Sequence, residues 1–156
     1  MTRSFLVALA LVAPTFLAAN LTVSADLAAA HADAVALRTS ADNLQMLART
    51  PMKYSFEAHS TELARARKYA DAIAARLHRL NAERDAETPA QREQIDLMQA
   101  RLLDAVRNID VAIQAFNHRN GTASLYSPAY QNRVKNLVKD AQALASPAAA
   151  HTTSAD

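Results

Sequence analysis

Apolar residues recur along most of this chain in alternating steps of three and four. The clearest run is 89–120, where Ile95, Met98, Leu102, Ala105, Ile109, Ala112 and Phe116 keep a strict 3-4 alternation. That spacing lines one stripe along one face of a helix. Val106 and Ile113 widen the stripe to the width a bundle core requires. Ahead of it, Thr88, Pro89 and Gln91 supply an N-cap, a proline at the first helical position and a glutamine two residues further on, the capping-box arrangement. Gly121 supplies a stop. At about 1.5 Å per residue the helix spans roughly 45 Å.

The same pattern places three more helices. The second covers about 54–85, with Phe56, His59, Leu63, Ala66, Ala70, Ile73, Leu77 and Leu80 on its seam. Ala66 and Ala70 are small enough for a partner backbone to come close. Glu62, Arg65, Arg67, Lys68, Asp71, Arg76 and Arg79 spread around the rest of that helix and read as a solvated face. The first helix covers about 26–49, on Leu27, Ala30, Ala34, Leu37, Ala41, Leu44 and Ala48, and Pro51 ends it because the residue before proline disfavours helical geometry. The fourth opens at Ser127-Pro128, carries Val134, Leu137, Ala141 and Leu144, and stops before Pro147. The connections, about 50–54, 85–88 and 121–127, are short, and short connections make neighbouring helices antiparallel. The expected fold is all-α: an up-down-up-down four-helix bundle built on a long central antiparallel hairpin.

Composition agrees. The chain has 156 residues, 51% of them hydrophobic, with one Gly. A β-rich chain needs more turn glycines and β-branched runs; Ala, Leu, Arg, Glu and Gln favour helix. Aromatics make up 5% and Trp is absent, so the core is aliphatic.

Residues 1–25 read as a cleaved signal peptide. Arg3 provides the positive start, Phe5 to Ala19 an apolar run, and Val23-Ser24-Ala25 a small-residue cleavage site before Asp26. Cleavage after Ala32, in Ala30-His31-Ala32, is the alternative site. The apolar run falls short of the roughly 20 residues of a membrane-spanning helix. The expected organisation is therefore a signal at 1–25, a helical domain at 26–145 and a disordered tail at 146–156. The product is exported, periplasmic or secreted, without stable membrane insertion once the signal is gone. Removing 25 of 156 residues leaves 131, enough for a real core.

Charge and cysteine content narrow the chemistry. Net charge is +2, or +1 without Arg3, which gives no argument for nucleic acid. Zero Cys excludes disulfides, thiolate metal sites, a Cys nucleophile, covalent haem through CxxCH and a lipid attached through Cys. One Gly leaves no phosphate loop and no nucleophile elbow. No Glu-x-x-His pair and no HExxH motif is present, so di-iron and zincin chemistry are unsupported. Acidic residues sit within three or four positions of basic ones, as Asp104 does with Arg101 and Arg107, and read as surface pairs. No enzyme activity and no cofactor are expected.

One titratable side chain breaks the pattern. His59 falls on the seam of the second helix, where an aliphatic residue is expected. Folding the helices back on one another sets it level with Asn43, with 113–116, and with Asn132 and Arg133. Met46 points off the seam and Met52 lies in a turn. With no second ligand evident, His59 reads as a boundary-layer histidine near the bundle end, its second nitrogen reaching water or Asn43. His31, His78 and His118 fall beside the seams, toward solvent.

The stretch Glu87 to Ile95, "ETPAQREQI", resembles the LTxxQ element of exported helical chaperones of the Spy and CpxP type from bacterial envelopes, with Glu87 in place of Leu and a single copy of the motif. That resemblance implies a long-helix hairpin that dimerises and cradles unfolded clients. The bundle is also similar to soluble b-type cytochromes, which use Met on the first helix and His on the last; the fourth helix here has no His. The functional expectation is a non-enzymatic envelope interaction or chaperone-like module whose partner is another protein or a second copy. Its expected surface is an apolar groove on the hairpin around Tyr54, Phe56, Tyr69 and Phe116. The competing expectation is a small-ligand, metal or haem carrier using the bundle interior at His59.

Overall fold

The computed structural model describes residues 13–51, 53, 55–118 and 121–146. Four α-helices account for most of them: α1 (Ala13–Arg49), α2 (Phe56–Ala82), α3 (Pro89–His118) and α4 (Pro128–Ala145). Short 3-10 turns at Arg84–Ala86 and Gly121–Tyr126 bridge α2 to α3 and α3 to α4. No strand occurs among the described residues. Each helix packs on its neighbours in chain order, and α4 closes the ring against α1. The fold is the expected four-helix bundle, with α2 and α3 as its long central hairpin.

The 3-4 seams are the core. All seven seam positions of α1, from Leu27 to Ala48, are buried, and so are Leu63 to Leu80 on α2 and Ile95 to Phe116 on α3. Small residues thread the α1–α2 boundary: Ala34, Ala41, Ala66 and Ala70 are all 0% exposed. The aliphatic wall this creates is non-directional, and shedding water from it is the main force holding the bundle.

Local chemistry fixes where the helices begin. Ser55 caps α2, its hydroxyl accepting from the Ala58 amide at 3.2 Å. Ser127 caps α4 in the same way, accepting from the Tyr130 amide, with Pro128 at the first helical position. At α3 the capping box is reciprocal. The Thr88 amide donates to Gln91 Oε1 at 2.8 Å, and the Gln91 amide donates to Thr88 Oγ1 at 3.3 Å.

Two boundaries differ from the sequence expectation. Among the described residues α1 is already helical from Ala13, well ahead of Asp26, so it runs unbroken through the expected cleavage site. No proline follows Pro14 before Pro51, so nothing between them breaks the helix. Val23 is consequently buried in the core, and Ser24 accepts a hydrogen bond from Gln91. α2 is shorter than expected, ending at Ala82 because residues 84–86 tighten into a 3-10 turn. Of the expected tail, Ser146 ends α4 and residues 147–156 lie outside the described residues.

The charged residues of α2 do more than face solvent. Arg76 reaches Asp33 at 2.8 Å and Asp26 at 3.4 Å, and Arg79 reaches Asp26 at 3.0 Å. Arg67 pairs with Asp110, and Arg84 with Asp96 at 2.8 Å. These bridges run between elements, tying the α2 flanks to α1 and α3 and the turn after α2 to α3. Glu62 departs furthest from its expected place: it is buried, accepts from the Ser40 hydroxyl at 2.9 Å and is held by Arg65. A helix flank that turns toward a neighbour is interface, and the sequence pattern of one helix does not show which flank turns.

Candidate functional site

Four of the chain's rare rings meet where α2 begins. Phe56 stacks on Phe116 with centroids 3.9 Å apart and planes 18° apart. Phe116 lies 6.0 Å from Tyr130, and Tyr130 lies 5.8 Å from His59. Three helices converge here, and their caps position the rings. Ser55 starts α2, so Phe56 and His59 fall in its first turn. Ser127 starts α4, so Tyr130 falls in that helix's first turn.

His59 is a core residue, and its neighbours are not those the sequence suggested. The imidazole and Tyr130 are both 0% exposed. Nδ1 and the Tyr130 hydroxyl share a hydrogen bond of 2.9 Å. Asn43 is exposed and makes no such contact. The boundary-layer reading is therefore corrected: His59 is sealed, and its partner comes from α4. Tyr130 was legible, because stepping back four from Val134 continues the α4 stripe.

The electrostatics follow from burial. Loss of water holds the His59 pKa below its ordinary value of 6.5, favouring the neutral ring, and pushes the Tyr130 pKa up. Either tautomer leaves Nε2 without a partner. A neutral histidine with one nitrogen engaged and one free is a donor or acceptor in waiting, and also a packing residue with one unmet bond. Among the described residues no group of three His, Cys, Asp or Glu side chains could hold a metal ion.

The other predicted positions separate. Phe56 and Phe116 join His59 in the ring cluster. Tyr69 is half-buried away from it, beside Ser40, Asn43, Glu62 and Arg65 in a groove between α1 and α2. Tyr54 and Met52 lie outside the described residues, as does the His118 side chain. His78 is exposed and His31 half-buried. Met46 is exposed and off the seam, as expected.

Two features went unseen in the sequence. The first is Glu87, which is 4% exposed with neither carboxylate oxygen hydrogen-bonded. Burial pushes its pKa up against the opposing pull of Arg84 and Arg92. The guanidinium of Arg84 is committed to Asp96, and Arg92 Nε donates to the Arg84 carbonyl. The second is a groove of about 430 Å³ between α2 and α3, lined by Ala74, Asp96, Gln99, Ala100, Leu102, Leu103 and Val106. Leu103 is 68% exposed, an apolar side chain one step off the α3 seam and directed outward. The adjacent leucines of "RLLDAV" carry that signal: a stripe can bury only one of them fully.

No protein-family model, curated protein or solved structure matches this chain. The likeness to exported chaperones of the Spy and CpxP type therefore rests on residues 87–95. Within them Thr88 and Gln91 form a working capping box, while Glu87, which replaces the Leu of that motif, is buried. Among the described residues no helix is long and apolar enough to cross a membrane.

Proposed function

We propose that the protein is a non-enzymatic, exported interaction module of the cell envelope, chaperone-like in action and periplasmic or secreted in location. The observation that carries this reading is the α2–α3 groove. It exposes Leu103 among Ala74, Ala100 and Val106, while the ion pairs Arg67–Asp110 and Arg84–Asp96 border it. A rimmed apolar groove suits a protein surface. The polar side chains elsewhere in the bundle largely satisfy one another across helix boundaries. The test is suppression of light scattering by a reduced, unfolding client protein at equimolar chain. The native protein suppresses it, Leu103→Arg does not, and the two melt at the same temperature. Equal scattering with and without the native chain overturns the chaperone-like reading. Export is tested separately by N-terminal sequencing of protein recovered from the envelope, which begins at Asp26 if the signal is cleaved after Ala25.

A second reading, a small-ligand, metal or haem carrier, is favoured by one observation: the buried, unpartnered Nε2 of His59. Metal analysis and visible absorbance of the protein purified from its own compartment decide it. A stoichiometric metal or a haem band, lost in His59→Leu, establishes a carrier; a colourless, metal-free sample removes that reading.

A further inference from the structure

The α2–α3 face is polar and apolar in an arrangement that fits itself. Its apolar centre is Leu103, with Ala74 opposite it across the groove. Asp110 lies seven residues after Leu103 and pairs with Arg67 of α2; Asp96 lies seven residues before it and pairs with Arg84 beyond the end of α2. Each border pair thus carries its arginine on the α2 side and its aspartate on the α3 side, about 10 Å along the helix from the leucine. Between them Asn81 donates to Gln99 at 3.2 Å. Of the four adjacent helix pairs, α2 and α3 approach each other least closely although they are the two halves of the long hairpin. The groove opens on the outer side of this seam.

We propose that a second copy of this chain covers that face, with the two-fold axis parallel to the helices so that α3 of each copy packs on α2 of the other. This rests on the interaction reading above and makes a second copy the resting occupant of the groove, which a client must displace. Charge selects the arrangement. A two-fold axis running across the helices would lay α3 on α3 and bring Asp96 against the partner's Asp110, and Arg84 against the partner's Arg67. Those are like charges at both borders, and they repel. The axis along the helices sets Asp96 against the partner's Arg84 and Asp110 against the partner's Arg67. The large exposed Leu103 then meets the partner's Ala74, a knob over a small residue. The same residues meet twice, as an isologous interface requires. The central four helices of the assembly would be two copies of the hairpin, with α1 and α4 outermost on each side.

Sedimentation velocity of the full chain up to several hundred micromolar tests it. A concentration-dependent mass of two chains is expected. Leu103→Arg weakens association at least tenfold while leaving the melting temperature of the monomer unchanged, since the side chain is exposed. The decisive experiment uses two charge reversals. Arg84→Glu alone and Asp96→Arg alone each put like charges across the interface and weaken dimerisation. Mixing the two variants restores it, because each chain then offers the charge its partner lacks. Rescue on mixing is peculiar to α3 lying on the partner's α2. A dimer with no rescue overturns the proposed arrangement. A monomer at the highest concentration overturns self-association altogether. The interaction reading stands or falls separately, on client protection by that monomer and its loss in Leu103→Arg.

Discussion

The two ends of the bundle solve the same problem with opposite success. At one end His59 is buried beside Tyr130, which in turn packs on Phe116, and receives half of the hydrogen bonding it needs. At the other end Glu87 is buried under the turn between α2 and α3 and receives none from the protein. Each group responds by favouring its neutral form: the histidine pKa falls and the carboxyl pKa rises. The lesson is that burial alone does not say what a titratable group contributes. What matters is whether a neighbouring element brings a partner, and only the His59 end has one.

The largest effect expected is at the ring cluster. Among the described residues Tyr130 is the bulkiest fully buried side chain, and it touches both His59 and Phe116. Tyr130→Ala removes a ring from a packed site and should cost about 3–5 kcal/mol, as aromatic-to-alanine changes in cores do. Urea unfolding followed by circular dichroism measures it. A cost under about 1 kcal/mol would mean that the cluster is loosely packed and that the end collapses around the gap.

The carboxyl end should respond in the opposite direction. Glu87→Leu removes two unsatisfied oxygens and places an aliphatic side chain where the LTxxQ-like element has its leucine. It should stabilise the fold by about 1–3 kcal/mol near neutral pH, the usual cost of an unmet buried polar group. The gain depends on pH in a definite sense. The folded-state pKa of Glu87 is raised, so the folded chain holds its proton more tightly than the unfolded chain does. The wild-type fold is then least penalised below the ordinary value of 4.5 and loses stability as pH rises through the folded pKa. The advantage of Glu87→Leu should therefore shrink on acidification. His59 has the reverse sign. Its folded pKa is lowered, so its end is stable above 6.5 and weakens as pH falls from there toward the folded value. Melting curves at pH 7.5, 5.5 and 4.0 for wild type, Glu87→Leu and His59→Leu separate the two. Parallel pH profiles for all three would sink the contrast.

How far the sequence already carried these features differs by element. The four seams, the reciprocal cap of α3 and the proline starts were readable because each depends on residues within one or two turns of one another. The partner of His59 was half readable: Tyr130 continues the 3-4 stripe of α4, but its pairing with His59 spans 71 positions and depends on how four helices stack. Glu87 was not readable. In sequence it is one acidic residue beside a helix start, and only the tight 84–86 turn folds it under the bundle. The same holds for Glu62, which sits among charged neighbours on α2 yet turns toward Ser40 of α1. Local periodicity reports which face is apolar, whereas the fate of a polar flank is decided by the rotation of the helix against its neighbours. The helical course of α1 ahead of Asp26 reflects the same limit, since a helix-compatible apolar run reads alike as a signal segment or as a helix extension.

A smaller test isolates the hydrogen bond at the ring end. Tyr130→Phe keeps the ring and deletes the hydroxyl, leaving His59 buried with neither nitrogen engaged. That should cost about 1–3 kcal/mol. His59→Leu alone orphans the Tyr130 hydroxyl and should be unfavourable for the same reason. The double variant removes both polar partners together, and replacing both ends of a buried hydrogen bond by apolar groups is nearly neutral or stabilising. The cycle should therefore be strongly non-additive. Additive effects would show that the two groups contribute through packing alone, making this end no better matched than the Glu87 end.

The finest contrast lies in the caps beside the two ends. α2, at the His59 end, starts on a single bond from the Ala58 amide to Ser55, and α3, at the Glu87 end, starts on the reciprocal pair of Thr88 and Gln91. Ser55→Ala should cost about 1 kcal/mol, the usual value for losing an N-cap hydroxyl. Thr88→Ala should cost about the same, but Gln91→Ala should carry an additional penalty with no counterpart in α2, because it exposes the Thr88 amide and also frees Ser24 on α1. If the α3 cap were only a local device, Gln91→Ala would behave identically in chains that begin at Met1 and at Asp26. If the Ser24 contact matters, the penalty is larger in the longer chain. That difference measures, by thermal melts of the two lengths, how much the extension of α1 back to Ala13 contributes to the Glu87 end.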